Sequence, residues 1–230
     1  MALIRAWTSL TCNSTAPTRD SSGQLRVIDA ADSIRPVMAF IKAELLGHVV
    51  LVAGFRNVRL EDPAGLIEGL RTREELKDLC FQLLDADTVA GPEHIFVSVI
   101  NALRAFELGL NVSSDLGLEI LTFASGQRQI SKAIRSMGLS KGQANVAAVV
   151  VAKSEDAALR ALKAITDTLT GLGGTRDDDV LEVREEKARK LAEAFGLTDQ
   201  EIPACTRAGG LVDAIKALVV EKVALSMAYR

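Results

Sequence analysis

Residues 145–152 read "NVAAVVVA" and residues 48–55 read "HVVLVAGF". Both are compact apolar runs rich in β-branched residues, the pattern of a strand buried in a core. Around them the spacing shifts to helical steps. Pro92 to Leu108 carries Ile95, Val99, Leu103 and Phe106 on one face. Residues 154–170 place Ala158, Leu159, Leu162, Ile165 and Leu169 behind an N-cap at Ser154, and "GLGG" ends them. Strands interleaved with helices predict an α/β (α+β) fold: a small mixed sheet of few strands flanked by several helices, in one compact domain.

The remaining elements follow by the same spacing. "LRVIDA" (25–30) reads as a strand, and a helix follows with Ser33 as N-cap and Ile34, Val37, Met38, Ile41 and Leu45 on its stripe. A helical pattern runs from Arg71 to Leu76 and on toward Leu84. "LGLEILTFA" (116–124) is a further apolar helix, "VLEVR" (180–184) reads as an edge strand, and a helix covers 185–195. Thr198 and Glu201 have the spacing of a capping box, and Leu211 to Met227 is a closing apolar helix. Residues 11–24 are dense in Ser, Thr, Asn and Pro. The expected division is therefore a tail or extension at 1–25 and the domain at 26–230.

The 230-residue chain is 48% hydrophobic and 25% charged, which supplies a core without a metal or disulfide staple. Its 27 basic and 30 acidic residues give a net charge of −3, so any contact with nucleic acid depends on a local patch. Cys12, Cys80 and Cys205 form no metal or disulfide pattern. The N-terminal apolar run is too short for a signal peptide, and no window approaches the roughly 18 apolar residues of a membrane span. A cytoplasmic protein without membrane contact is the expectation.

One segment concentrates positive charge. "ASGQRQI" (124–130) interrupts an apolar helix, and between Ile120 and Asn145 stand Arg128, Lys132, Arg135 and Lys141 with no acidic residue. On a helix over 127–138, Ile130, Ala133, Ile134 and Met137 share one face, with Arg128, Lys132 and Arg135 opposite. Ser125 falls where a cap belongs and Gly126 permits close approach, so a helix start beside Arg128 could meet an anion. Gln127 and Gln129 add amide edges suited to bases. A basic face opposite an apolar one is equally the dress of an ordinary surface helix, and both readings stand at this point.

The chemistry of an enzyme is thinly supplied. His48 and His94 are each lone and read as structural histidines. "GLGGT" (171–175) follows a helix instead of a strand, so it reads as a C-cap and turn, not a phosphate loop. The run Asp177 to Asp179 lacks partner ligands and reads as a solvated loop. No metal, cofactor or catalytic residue is assigned.

"LLDADTVAGPEHIFVSVINALRAF" (83–106), "LEILTFASGQRQISKAI" (118–134), "MGL" (137–139) and "LVVEKVALSMA" (218–228) together resemble the small regulatory subunit of the KEOPS complex, the PRPK-binding protein (TPRKB) family, especially its archaeal branch. The resemblance is strongest over 83–140, weaker over 141–225, and begins near residue 49. It implies a non-catalytic α/β subunit that docks on the kinase-like ATPase subunit PRPK, in a complex that helps make threonylcarbamoyladenosine on tRNA. Archaeal-type members also bind the 3′ CCA end of tRNA. Carried onto the matched positions, the implied tRNA contacts are Ser125, Gly126, Gln127, Arg128, Gln129 and Ile130, flanked by Lys132, Arg135 and His94. The implied partner surface lies on the helices over 94–106 and 211–227, at Val99, Leu103, Val220 and Leu225, with at most weak self-association. The competing expectation is a protein-interaction module that regulates the kinase-like subunit without touching tRNA. Two features depart from the family pattern: the long segment ahead of the match, with Trp7, and "GLNVSSDLG" (109–117) between the central helices.

Overall fold

The two apolar runs pair with each other. In the computed structural model, which describes residues 40–198, 200–202 and 210–229, β2 (His48–Leu60) and β4 (Gly142–Ala152) run antiparallel from Val49 opposite Ala152 to Leu60 opposite Gly142. β1 (Ile41–Leu45) flanks β2 and β3 (Cys80–Asp85) flanks β4, giving the order β1-β2-β4-β3. The two-residue β5 (Thr175–Arg176) adds to β2. Every strand pair among the described residues is antiparallel, so the α/β class holds while the expected mixed sheet does not.

Side-chain alternation assigns the two faces of the sheet. Val50, Val52, Leu84, Ala147, Val149 and Val151 join the main core with α2 (Pro92–Leu108) and α3 (Leu116–Ala124). Leu51, Ala53, Leu83, Ala148 and Val150 point the other way and are also buried. On that side α5 (Glu155–Gly171) packs against β2 and β4, its first turn capped by Ser154 accepting from the Ala157 N–H. Burial on both faces is why these strands read as continuous runs.

A second, smaller core lies between α6 (Glu185–Ala194), α7 (Leu211–Ser226) and the residue Ala90. It holds Val183, Ala188, Leu191, Ile215 and Val219. The Asn101 side-chain amide donates to the Val223 carbonyl at 2.8 Å, tying α2 to α7. No helix of the described residues is long and apolar enough to cross a membrane.

Three expected elements differ. Ile41–Leu45 is a strand and not the end of a helix: Ile41, Ala43 and Leu45 alternate inward while Lys42 and Glu44 are exposed. Leu46 and Gly47, at φ 49° and 71°, then turn the chain tightly into β2. The helix expected from Arg71 toward Leu84 is instead α1 (Pro63–Arg71), a short 3-10 turn at Glu74–Leu76, and β3. Asp78 breaks the pattern with a φ of 60°. The edge strand expected at 180–184 is not formed: its first two residues end the 3-10 turn Asp178–Leu181, and 182–184 lead irregularly into the next helix. The "LRVIDA" strand, the N-cap at Ser33 and the boundary at 25/26 lie outside the described residues.

The Asp run is a clasp on the sheet and not a solvated loop. Asp177 pairs with Arg56 at 2.7 Å, which lowers its pKa, and caps the turn by accepting from the Asp179 N–H. Asp178 pairs with Arg176 and accepts from the Gly54 N–H at 2.7 Å. The Arg176 guanidinium in turn lies 5.2 Å from the centre of the Phe55 ring. Gly54 is what permits this approach, since a Cβ there would stand 2.5 Å from the Asp177 carbonyl oxygen. Gly54→Ala should therefore cost about 1–3 kcal/mol by overpacking. Urea unfolding checks this, with Ala53→Gly as a control in the same strand.

Candidate nucleic-acid interface

The break at Ser125-Gly126 closes one helix and does not open the next. Gly126 has a φ of 62°; its N–H donates to the Phe123 carbonyl, and the Gln127 N–H donates to the Thr122 carbonyl. Those paired bonds are a glycine-closed helix C-terminus. Ser125 is buried; its hydroxyl donates to the Thr122 carbonyl and accepts from the Gln127 N–H. Its side chain thus serves the turn and not an incoming ligand. A Ser-Gly pair suits either end of a helix, and the left-handed glycine decides for the end.

α4 (Ile130–Met137) starts only after an extended connection, with Gln129 in the N-cap position and no side-chain capping bond. Arg128 sits in that connection and not on the helix, while Lys132 and Arg135 lie on α4. Ala133 and Met137 are buried, Ile130 is half-buried, and Ile134 is 48% exposed, so the apolar face is narrower than expected. Arg128, Gln129, Lys132, Arg135 and Lys141 are all exposed, and Gln127 is half-buried. None of the four cations joins the ion pairs of the described residues, whereas Lys163, Arg189 and Lys190 each pair with a carboxylate along their own helices. An unbalanced positive strip therefore crosses this loop and helix.

His94 belongs to the support of the strip and not to its surface. It is fully buried in the first turns of α2; its Nδ1 accepts from the Ala90 N–H at 3.0 Å and its Nε2–H donates to the Ala124 carbonyl at 2.8 Å. The two partners fix the neutral tautomer, and burial pushes its pKa down to about 4. His94 thereby ties the last residue of α3 to the loop before α2. The structural reading of this histidine holds, and a direct contact with a ligand does not.

The expected partner residues divide likewise. Val99 and Leu103 are buried in the main core and are closed to a partner, because α2 packs that face against α3 and the sheet. Val220 is half-buried and Leu225 is 50% exposed. Phe106, which periodicity places on the apolar face of α2, is 37% exposed, and Leu108, Leu110 and Val112, which periodicity does not single out, are exposed at 66%, 43% and 48%. They lie at and beyond the end of α2, where helical spacing no longer reports burial. Ala90 beside Ile215 and Val219, followed by Asn101 on Val223, shows α2 and α7 running in the same direction. Their C-terminal ends, including Leu225 and Tyr229, therefore emerge on one side.

A shallow cavity of about 710 Å³ lies by Arg59, Asp62 and the Gly171–Gly173 turn, and no residue of 125–135 lines it. Burial pushes the Cys80 thiol up to about 12, which disfavours its thiolate.

Fold and loop together display cations and amides on a frame of packed helices and a sheet. Residues 55–226 match the family model described as "Kinase binding protein CGI-121". The chain is also 34% identical over 131 residues to the "Regulatory protein Cgi121" of Methanocaldococcus jannaschii, a match covering 56% of this chain and 80% of that relative. The chain belongs to the CGI-121 family of kinase binding proteins.

The buried neutral His94 makes a pH test of this frame. Its folded pKa of about 4 lies below the ordinary 6.5, so the stability it contributes is complete above pH 6.5 and is lost progressively as pH falls toward 4. The loss reaches about 3 kcal/mol. Measured by urea unfolding, the wild-type advantage over His94→Gln should shrink from pH 7 to pH 5; a constant difference would mean that the imidazole is not held neutral.

Proposed function

We propose that this chain is a non-catalytic regulatory subunit that binds a kinase-like ATPase subunit and recruits tRNA through its single-stranded 3′ CCA end, for threonylcarbamoyladenosine modification. The observation that carries the tRNA half is the strip of exposed, carboxylate-free cations Arg128, Lys132 and Arg135 beside Gln127 and Gln129, in a chain of net charge −3. Guanidinium and ammonium groups neutralise phosphates and fix register, while amide side chains and loop backbone read the edges of unstacked bases. The ordered turn at Ser125-Gly126 holds these groups in place without entering the contact through the serine side chain.

The kinase half rests on family membership and on the apolar end formed by Phe106, Leu108, Leu110 and Leu225. Leu225 remains from the surface first expected; Val99 and Leu103 are replaced by these side chains at the end of α2. This second surface also favours the narrower reading, a protein-interaction module without tRNA contact. The two readings separate by experiment.

Arg128→Glu with Lys132→Glu should weaken tRNA binding at least tenfold and flatten the salt dependence by about 1.4 in log-log slope, two single-strand phosphate contacts at about 0.7 each. Thermal unfolding should move by no more than a few degrees, since both side chains are exposed. Equal affinity of the wild type for tRNA with and without its CCA tail would sink the recruitment reading and leave the interaction module. Separately, Leu108→Asp should weaken co-purification with the kinase-like subunit and leave tRNA affinity unchanged; intact co-purification would remove this end as the docking surface.

A further inference from the structure

The loop over 125–129 carries one cation, Arg128, and two amides but no aromatic side chain, although unpaired bases bind best when stacked on a ring. The fold brings one to it from far along the chain. Phe195, at the C-cap of α6, is half-buried, and its Cε1 lies 3.7 Å from where a Cβ on Gly126 would stand. Because Gly126 has no side chain, nothing from that residue covers the ring.

The ring is also pinned. His94 meets it edge-to-face, with centroids 5.6 Å apart and planes at 76°. His94 is itself held at both ring nitrogens. The Lys222 ammonium donates to the carbonyls of Phe195 and Gly196 at 3.3 Å each, which fixes the backbone beneath the ring. Phe195, like Ala192 and Leu197, is partly buried and packs against the second core. A phenyl ring needed only for that core would be expected to sink into it; here the residue stays partly exposed beside the glycine that turns the chain toward Arg128.

We propose that Phe195 is the stacking platform of the site: an unpaired nucleobase at the end of a single-stranded RNA rests on its exposed side, while Arg128 and Lys132 hold the adjoining phosphates. Gly126 then has two tasks, the left-handed turn that ends α3 and the open approach to the ring. This inference rests on the tRNA reading above and adds a residue, and a physical role, that the loop itself does not contain.

The test uses the full chain and three variants, Phe195→Leu, Phe195→Trp and Phe195→Ala, titrated with intact tRNA and with tRNA lacking the terminal CCA. Leucine keeps apolar bulk for the second core but has no π-face, and tryptophan keeps both. Loss of one base stack should weaken intact tRNA by about 5- to 150-fold. Phe195→Leu should lose affinity for intact tRNA within that range, Phe195→Trp should retain it, and neither should change binding of the tailless tRNA. A 2-aminopurine placed at the 3′ terminal position should be quenched on binding to the wild type and the Trp variant, and not the Leu variant. If the wild type discriminates against the tailless tRNA but Phe195→Leu binds intact tRNA as tightly as the wild type, the platform is refuted and the tRNA reading survives. If the wild type does not discriminate, both fall. Thermal melts of all three variants identify any that fail to fold, and Phe195→Leu and Phe195→Trp each carry the comparison alone should Phe195→Ala be one of them.

Discussion

The pairing of β2 with β4 is the interaction on which everything else rests. It is a long antiparallel ladder, from Val49–Ala152 to Leu60–Gly142, and its side chains are buried on both sides of the sheet over most of its length. A strand covered on both faces needs a helix layer on each, and α2 with α3 on one side and α5 on the other supply them. The Arg56–Asp177 and Arg176–Asp178 pairs, beside Gly54, close the outer edge of β2 where the ladder is interrupted between Phe55 and Val58. With the sheet fixed, the position of α3 and hence of the loop beyond it is also fixed.

That loop owes its shape to neighbours in space more than to its own sequence. Backbone bonds from Gly126 and Gln127 end α3, and the Ala124 carbonyl is held from below by His94. Polar groups are thereby satisfied inside the turn, and the cations of the connection and of α4 join none of the ion pairs of the described residues. A positive strip of this kind is costly to assemble only in mutual repulsion, and exposure to water and salt keeps that cost small. The frame is rigid where it is buried and chemically available where it is not.

Legibility in the sequence followed burial geometry. α2, bounded by Pro92 and by Leu108 before the left-handed Gly109, was readable because one face is apolar and both ends carry their signals. The caps at Ser154 and Thr198 were readable for the same reason; Thr198 and Glu201 exchange hydrogen bonds reciprocally. β3 was not, because four consecutive buried residues, Phe81 to Leu84, carry no alternation and lie directly after a helical pattern. Of the candidate site, the charge excess was plain from residue types alone. The direction of the Ser-Gly break was not, since only the backbone angle of Gly126 distinguishes a helix end from a helix start. Phe195 was invisible, because nothing local connects it to residue 126.

A small core set apart from the sheet also means two energy scales of opening. Buried layers cover both faces of the sheet, the main core on one side and α5 on the other, so amides at the centre of β4 exchange with solvent only when the whole domain comes apart. The smaller core of Val183, Ala188, Leu191, Ile215 and Val219 buries far less and meets the larger one at Ala90 and His94. α6 can therefore loosen while the ladder stays intact. The charged loop stands on the seam between a slow-exchanging unit and a fast-exchanging one, so a ligand that grips both sides is felt across the joint as a change in how often α6 lets go.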